Sequence, residues 1–207
     1  MIKNSAYFRN KAWEQLSPQW GTAVLFTLVY LLISFAVSSV AECVPLIGVF
    51  LTSVVAMGLY PMTYSYNVAF LNNLRSGEPI KIDSLFEGYK DWFRIVLTYF
   101  LLYIYVFLWG LLLVIPGIIK SIEYSQVAFI LRDNPELSEN AAIEKSMAMM
   151  LGHRWQYFKL QLSFIGWWLL VIVTLGVAAL WVQPYVCAAN ANFYEELKGE
   201  SNKLIEE

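Results

Sequence analysis

Charge is scarce in this chain. Only 14% of its 207 residues are Asp, Glu, Lys or Arg, while 58% are hydrophobic, and the mean hydropathy is +0.53. A soluble domain carries about 25% charged residues, so the composition excludes an ordinary water-exposed globule. Cysteine occurs twice, at Cys43 and Cys187, too rarely for a disulfide scaffold or a cysteine metal site. Histidine occurs once. His153 has no second imidazole and no cysteine pair to share an ion with, so no metal site is expected. A serine hydrolase would need a base, and this histidine has no partner motif. No phosphate-binding or dinucleotide glycine pattern is present, so no cofactor and no enzyme activity are expected. The net charge of −2 argues against a nucleic-acid partner.

What the chain has instead is long apolar runs and many rings: 8 Trp, 13 Tyr and 13 Phe. Aromatic side chains suit the two interfaces of a bilayer, where a ring with a polar edge meets the headgroups. The first apolar run, residues 21–41, is uncharged and covers about 30 Å as a helix, the thickness of a bilayer core. It is preceded by Lys3, Arg9, Lys11 and Glu14 and is too long for a cleaved signal, so it is expected to be retained. A second run, to Leu71, contains Pro61, which should kink it. Gly48, Thr52 and Ala56 form a stripe of small residues there. The stretches 95–131 and 160–194 would each be about 55 Å long as single helices. Pro116-Gly117 and Gln183-Pro184 divide them, with each proline near the first turn of the following helix. The expectation is an all-α polytopic transmembrane bundle in one domain, residues 1–207, of about six spans. These form three hairpins, 21–71, 95–131 and 160–194, with short interfacial amphipathic helices. The fourth and sixth spans are short enough to be re-entrant.

Basic residues agree with that count. The inter-hairpin loops, 72–94 and 132–159, and the two ends hold thirteen of the fourteen Lys and Arg residues, and the hairpin tips hold none. By the positive-inside bias both termini and both loops face the cytoplasm. An internal repeat is also legible. Trp20/Leu25, Trp92/Leu97 and Trp155/Leu160 open the hairpins, and Pro61/Phe70, Pro116/Phe129 and Pro184/Phe193 mark their second helices. Tyr64-Ser65 and Val68-Ala69-Phe70 are echoed by Tyr124-Ser125 and Val127-Ala128-Phe129. Chance recurrence of Trp at interfaces and Pro in apolar helices is the competing explanation. In the second loop, Ser138 reads as an N-cap with Glu139 inside it, Gly152 as the stop, and Ile143, Met147, Met150 and Leu151 as one apolar face lying on the membrane.

Ile115-Pro116-Gly117-Ile118-Ile119-Lys120-Ser121, Asp133-Asn134-Pro135-Glu136-Leu137-Ser138, and Met150 with Gly152-His153 and Trp155 carry a resemblance. So do Leu162-Ser163-Phe164-Ile165-Gly166-Trp167, Thr174-Leu175-Gly176, Pro184-Tyr185 and Asn192-Phe193-Tyr194-Glu195-Glu196-Leu197. Together they resemble the bacterial membrane family catalogued as domain of unknown function 975, most specifically over residues 115–197. The resemblance implies a multi-span protein of the bacterial cytoplasmic membrane and transfers no activity, substrate or catalytic residue.

Polar groups within the apolar runs are the candidate site. Lys120 and Glu123, at i and i+3, can meet on one helix face. A charge at the bilayer centre costs at least about 2.5 kcal/mol, so it seeks a partner or water. One reading has Lys120, Glu123 and Gln126 lining a polar pocket with Asn67 and Asn190; the other has a packing ion pair. His153, Arg154 and Lys159, with Trp20, Trp92 and Trp155, are candidates for contact with lipid headgroups. Two functions follow: a transporter or permease-like protein for a small amphiphile or lipid, or a non-transporting regulator, immunity or assembly factor that binds another membrane component. Membrane lipids are the expected partners, and another membrane protein the second.

Overall fold

The computed structural model describes residues 3–206 except 43–47, with side chains described outside 40–56, 112 and 201–206. Cys43 and the side chains of the Gly48, Thr52 and Ala56 stripe lie outside the described residues. Helices and turns make up the described residues, and no strand occurs among them. Helix α1, Ser5–Leu16, starts at Asn4, whose side chain accepts from the Tyr7 amide at 3.0 Å. Phe8, Ala12 and Leu16 recur every fourth residue and are buried. A 3-10 turn at Ser17–Gln19, with Pro18 early in it, leads into α2, Trp20–Glu42. The next helix, α3, is Gly48–Ser76 and contains Pro61. Phe26 and Tyr30 of α2 stack on Tyr66 of α3, with ring centroids 5.4 and 4.5 Å apart. Thr27 and Tyr66 hydroxyls meet at 2.8 Å between these helices.

The loop that follows is a ten-residue 3-10 segment, Ile82–Asp91, which buries Leu85 and Gly88 against α3. The Gly88 amide donates to Ser65 Oγ at 2.7 Å, and that hydroxyl donates to the Pro61 carbonyl at 2.8 Å. A Cβ on Gly88 would collide with the Pro61 carbonyl oxygen and crowd Ser65 Oγ. Gly88→Ala is therefore expected to cost about 1–3 kcal/mol, as overpacking does. Thermal unfolding of the detergent-solubilised protein checks this, and an unchanged midpoint would contradict the close approach.

Helices α4, Trp92–Leu112, and α5, Val114–Glu123, reverse direction at Leu113, which is extended at φ −161°. They pack closely: a Cβ on Gly117 would lie 3.0 Å from Gly110 Cα. Pro116 falls in the first turn of α5, as the spacing predicted. The fourth apolar stretch is not one helix, however. After α5 the chain turns at 124–126 and resumes as α6, Val127–Asp133. The Val127 amide bonds to the Tyr124 carbonyl at 3.2 Å instead of Glu123, which frees the Glu123 carbonyl.

Helix α7, Glu139–Met150, has the expected Ser138 cap, accepting from the Ala141 amide at 3.4 Å, and Gly152 follows at φ +85°. Its apolar face differs from the expectation. Ala142, Ile143, Ser146 and Met150 are buried against α4, α5 and α6, while Leu151 is 66% exposed. The face therefore docks on protein, because the neighbouring helices reach it first. Then come α8, Arg154–Leu162; α9, Ile165–Val173; and α10, Ala179–Glu206. The last reversal lies at Thr174–Ala178, with Leu175 at φ 51° and Gly176 at φ 94°, so Gln183-Pro184 is not the turn and Pro184 sits inside α10.

Contacts close in a ring. The segment before each hairpin packs on the second helix of the preceding one: Ile82–Asp91 on α3, α7 on α6, and α1 on α10. The first helices follow the same order, α4 against α3, α8 against α5, and α2 against α10.

Registers fix relative depth. Cys187 Sγ donates to Asn67 Oδ1 at 3.5 Å, and Arg75 Nε donates to Glu195 Oε1 at 2.7 Å, both with a separation of 120 residues. Helix α10 thus runs parallel to α3, with Ala179 level with Leu59. Helix α3 continues back to Gly48, about 15 Å further at 1.5 Å per residue. Tyr60 stacks on Tyr99 and Tyr103 at 5.6 and 5.3 Å, which brings the end of α4 level with the start of α3. The start of α10 therefore lies about 15 Å short of the start of α3.

Candidate functional site

The break after α5 assembles a buried polar site. Glu123 is the last residue of α5, and its side chain is 3% exposed. Lys120 Nζ approaches Glu123 Oε2 at 2.7 Å, and Arg154 Nη2, at the start of α8, approaches Oε1 at 2.8 Å. Both carboxylate oxygens thus have a cationic donor. The backbone carbonyl freed by the turn accepts from Ser146 Oγ of α7 at 2.6 Å. Ser146 thus satisfies the carbonyl left by the break, as a buried carbonyl requires. Lys120 also reaches Met147 Sδ at 3.6 Å and lies 5.4 Å from the Trp109 ring centroid. Two buried atoms here have no partner: Arg154 Nε and Gln126 Oε1.

The other interior candidates are paired locally. Gln126 Nε2 donates to Ser125 Oγ at 2.8 Å. Gln161 Nε2 of α8 donates to Asn190 Oδ1 at 2.8 Å. Asn67 donates back to the Thr63 carbonyl at 2.8 Å and accepts from Cys187, one helical turn from Asn190. No described hydrogen bond joins Asn67 or Asn190 to Glu123, or Gln126 to Asn190. The most clearly formed clefts are lined by other residues. Cys187 is a buried free thiol.

The headgroup candidates divide. Trp92 and Trp155 are 47% and 61% exposed, and Lys159 Nζ sits 5.3 Å from the Trp155 ring. Trp20 is half-buried, packing on Trp13 with centroids 5.2 Å apart. Arg154 is spent on Glu123. His153 Nε2 lies 4.0 Å from Glu200, and its Nδ1 is buried without a partner.

Sequence reasoning missed a third cluster. Asp133, at the end of α6, takes Arg75 on both oxygens at 2.6 and 2.8 Å, with Lys198 Nζ at 2.6 Å and Tyr194 Oη at 2.9 Å. Arg75 also bridges to Glu195 at 2.6 Å. These residues join α3, α6 and α10. The available signal was that each falls a few residues after Phe70, Phe129 or Phe193, the repeat markers.

The family described as "Protein of unknown function (DUF975)" matches residues 1–119 and 110–201. The chain belongs to that family. No curated protein and no solved structure matches it. Membership therefore brings no reaction to this family member, and its site has to be read from its own geometry. Among the described residues, four stretches of helix, Ser5–Ser39, Ile82–Leu111, Val114–Asp133 and Arg154–Val173, are long and apolar enough to cross a membrane, which suggests a membrane protein.

Proposed function

We propose that this is a non-transporting integral membrane protein of the bacterial inner membrane, with both termini in the cytoplasm, that holds another membrane component on its outer apolar surface. One observation carries the reading. The buried carboxylate at depth is closed on its neighbours, Glu123 with Lys120 and Arg154, and Asn190 is taken by Gln161. The most apolar cleft instead lies outside, lined by tryptophans. A transporter would place those polar groups along a cavity. The breaks at 124–126 and after α8 favour that second reading, since interrupted helices recur in transporters.

The ring of contacts supports an origin in three copies of one unit, an amphipathic segment followed by two helices. The register of α10 supports four full crossings plus a third hairpin that enters and leaves on the cytoplasmic side. In a background with Cys43 and Cys187 replaced, a cysteine at Gly176 is then expected to resist a membrane-impermeant maleimide from either side. Cys43 restored alone should be labelled from outside. Equal external labelling of the two sites would make the third hairpin a full crossing.

Function is tested by extracting the chain with its surrounding bilayer and comparing co-extracted components with the bulk membrane by mass spectrometry. One enriched component is expected, and it should persist in a folded Lys120→Gln, Glu123→Gln variant. Loss of the enrichment in that variant would place the ligand at the buried charges and favour transport.

A further inference from the structure

We infer that the outer cleft is a phospholipid site, which takes one acyl chain of a cytoplasmic-leaflet lipid and holds its anionic headgroup at Arg9. The inference rests on the binding role just proposed and names the component. The cleft is a cavity of about 410 Å³ between α1, α2, α9 and α10. Trp13, Trp20, Trp167 and Trp181 line it, half of the tryptophans in the chain, with Leu170, Ala178, Val182 and Tyr185. It is built as a unit: Tyr185 is ringed edge-on by Trp13 at 6.1 Å, Trp167 at 5.8 Å and Phe164 at 5.2 Å.

Its place explains what fills it. The start of α10 lies about 15 Å short of the start of α3, and Ala178 of the cleft belongs to the reversal just before it. The cleft therefore opens on the bilayer interior beside α2. Leu25, Leu28 and Leu32 continue the exposed apolar wall along that helix. At this depth an acyl chain is the abundant apolar occupant, and open indole faces would otherwise be left without contacts.

Charge sets the other end. Arg9 precedes Trp13 by one helical turn, so both share a face of α1. One Arg9 nitrogen donates to the Ser163 carbonyl at 3.1 Å, which satisfies the break between α8 and α9. No carboxylate pairs with Arg9 among the described residues, and it is close enough to Tyr185 to act on it electrostatically. Phe8 beside it packs on Phe193, two turns past Tyr185, and Lys3 pairs with Glu196, so Arg9 lies on the side of the cleft towards the charged C-terminal half of α10. A guanidinium with donors to spare at the mouth of an apolar cleft suits a phosphate.

The test uses full-length protein in nanodiscs. With Trp92, Trp109, Trp155 and Trp168 replaced by Phe, only the cleft tryptophans emit. Phosphatidylglycerol brominated on its acyl chain should quench them, and Leu170→Trp, which fills the cleft at a half-exposed position, should displace a lipid retained in native mass spectrometry. Arg9→Gln should keep a retained lipid while abolishing the preference for phosphatidylglycerol over phosphatidylcholine. No retained lipid, or retention unaltered by Leu170→Trp together with absent quenching, would overturn the inference. If the co-extracted component proves to be a protein and no lipid is retained, the general binding role stands and this inference falls. If Arg9→Gln leaves headgroup preference unchanged, the assignment of Arg9 is overturned.

Discussion

Replacing Glu123 by Leu is expected to destabilise the protein by about 3–5 kcal/mol, the cost of breaking a buried ion pair from one side. The carboxylate is 3% exposed and neutralises two cations, Lys120 and Arg154. Without it they face each other across the space it occupied. Arg154 is 41% exposed and can turn towards water, so the lower end of that range is favoured. Lys120→Leu should be much milder, about 1 kcal/mol, because Arg154 still covers one carboxylate oxygen. The asymmetry is the diagnostic. Removing Lys120 and Glu123 together should not return the protein to wild-type stability, because Arg154 is then left without its partner. Thermal unfolding of the three variants in detergent decides it. A double variant as stable as wild type would mean that Arg154 contributes nothing to the site.

Asp133→Ala should be comparably severe, about 3 kcal/mol. Its side chain is 10% exposed and is the shared acceptor for Arg75, Lys198 and Tyr194. Removing it frees α6 from both α3 and α10. Arg75 keeps Glu195 at 2.6 Å, so α3 and α10 remain joined while α6 loses its hold. The expected signature is proteolytic cleavage near residues 132–138 at temperatures where the wild type resists. Lys198→Ala should lower the unfolding midpoint far less, since its side chain is 40% exposed. Equal effects of the two substitutions would show that Asp133 is an ordinary surface carboxylate.

Helical class, the apolar stretches and the Ser138 and Gly152 boundaries of α7 were legible because periodicity and capping are local signals. So was the Lys120–Glu123 pair, which is three residues apart on one helix. The third partner was not, because Arg154 reaches Glu123 from 31 residues away and only the packing of α8 on α5 brings it there. The turn at 124–126 contains neither Gly nor Pro, so no residue announces it. Its cause lies in the tertiary partner Ser146, which accepts the cost of a freed carbonyl. Pro184 misled for the opposite reason. A strong local breaker is tolerated inside α10, and the chain reverses at Leu175-Gly176 instead.

Closure of the ring by the first helix on the last has a consequence for biosynthesis. Phe8, Ala12 and Leu16 find their cover on α10, a helix that begins only at Ala179. Until that helix has left the ribosome, the face of α1 stays without its cover from α10. Inserted hairpins can sit side by side in lipid before they associate, so early insertion is not blocked, but the final association is. A nascent chain stalled before Ala179 should be insertion-competent, open and protease-sensitive, and its N-terminal helix free for an insertase or chaperone to hold. Conversely, the first residues lie beside α10 in the finished protein, Lys3 lying 3.4 Å from Glu196. A circular permutant that links α10 to α1 and is opened in the loop before α4 or α7 would keep the ring while changing which helix is made last.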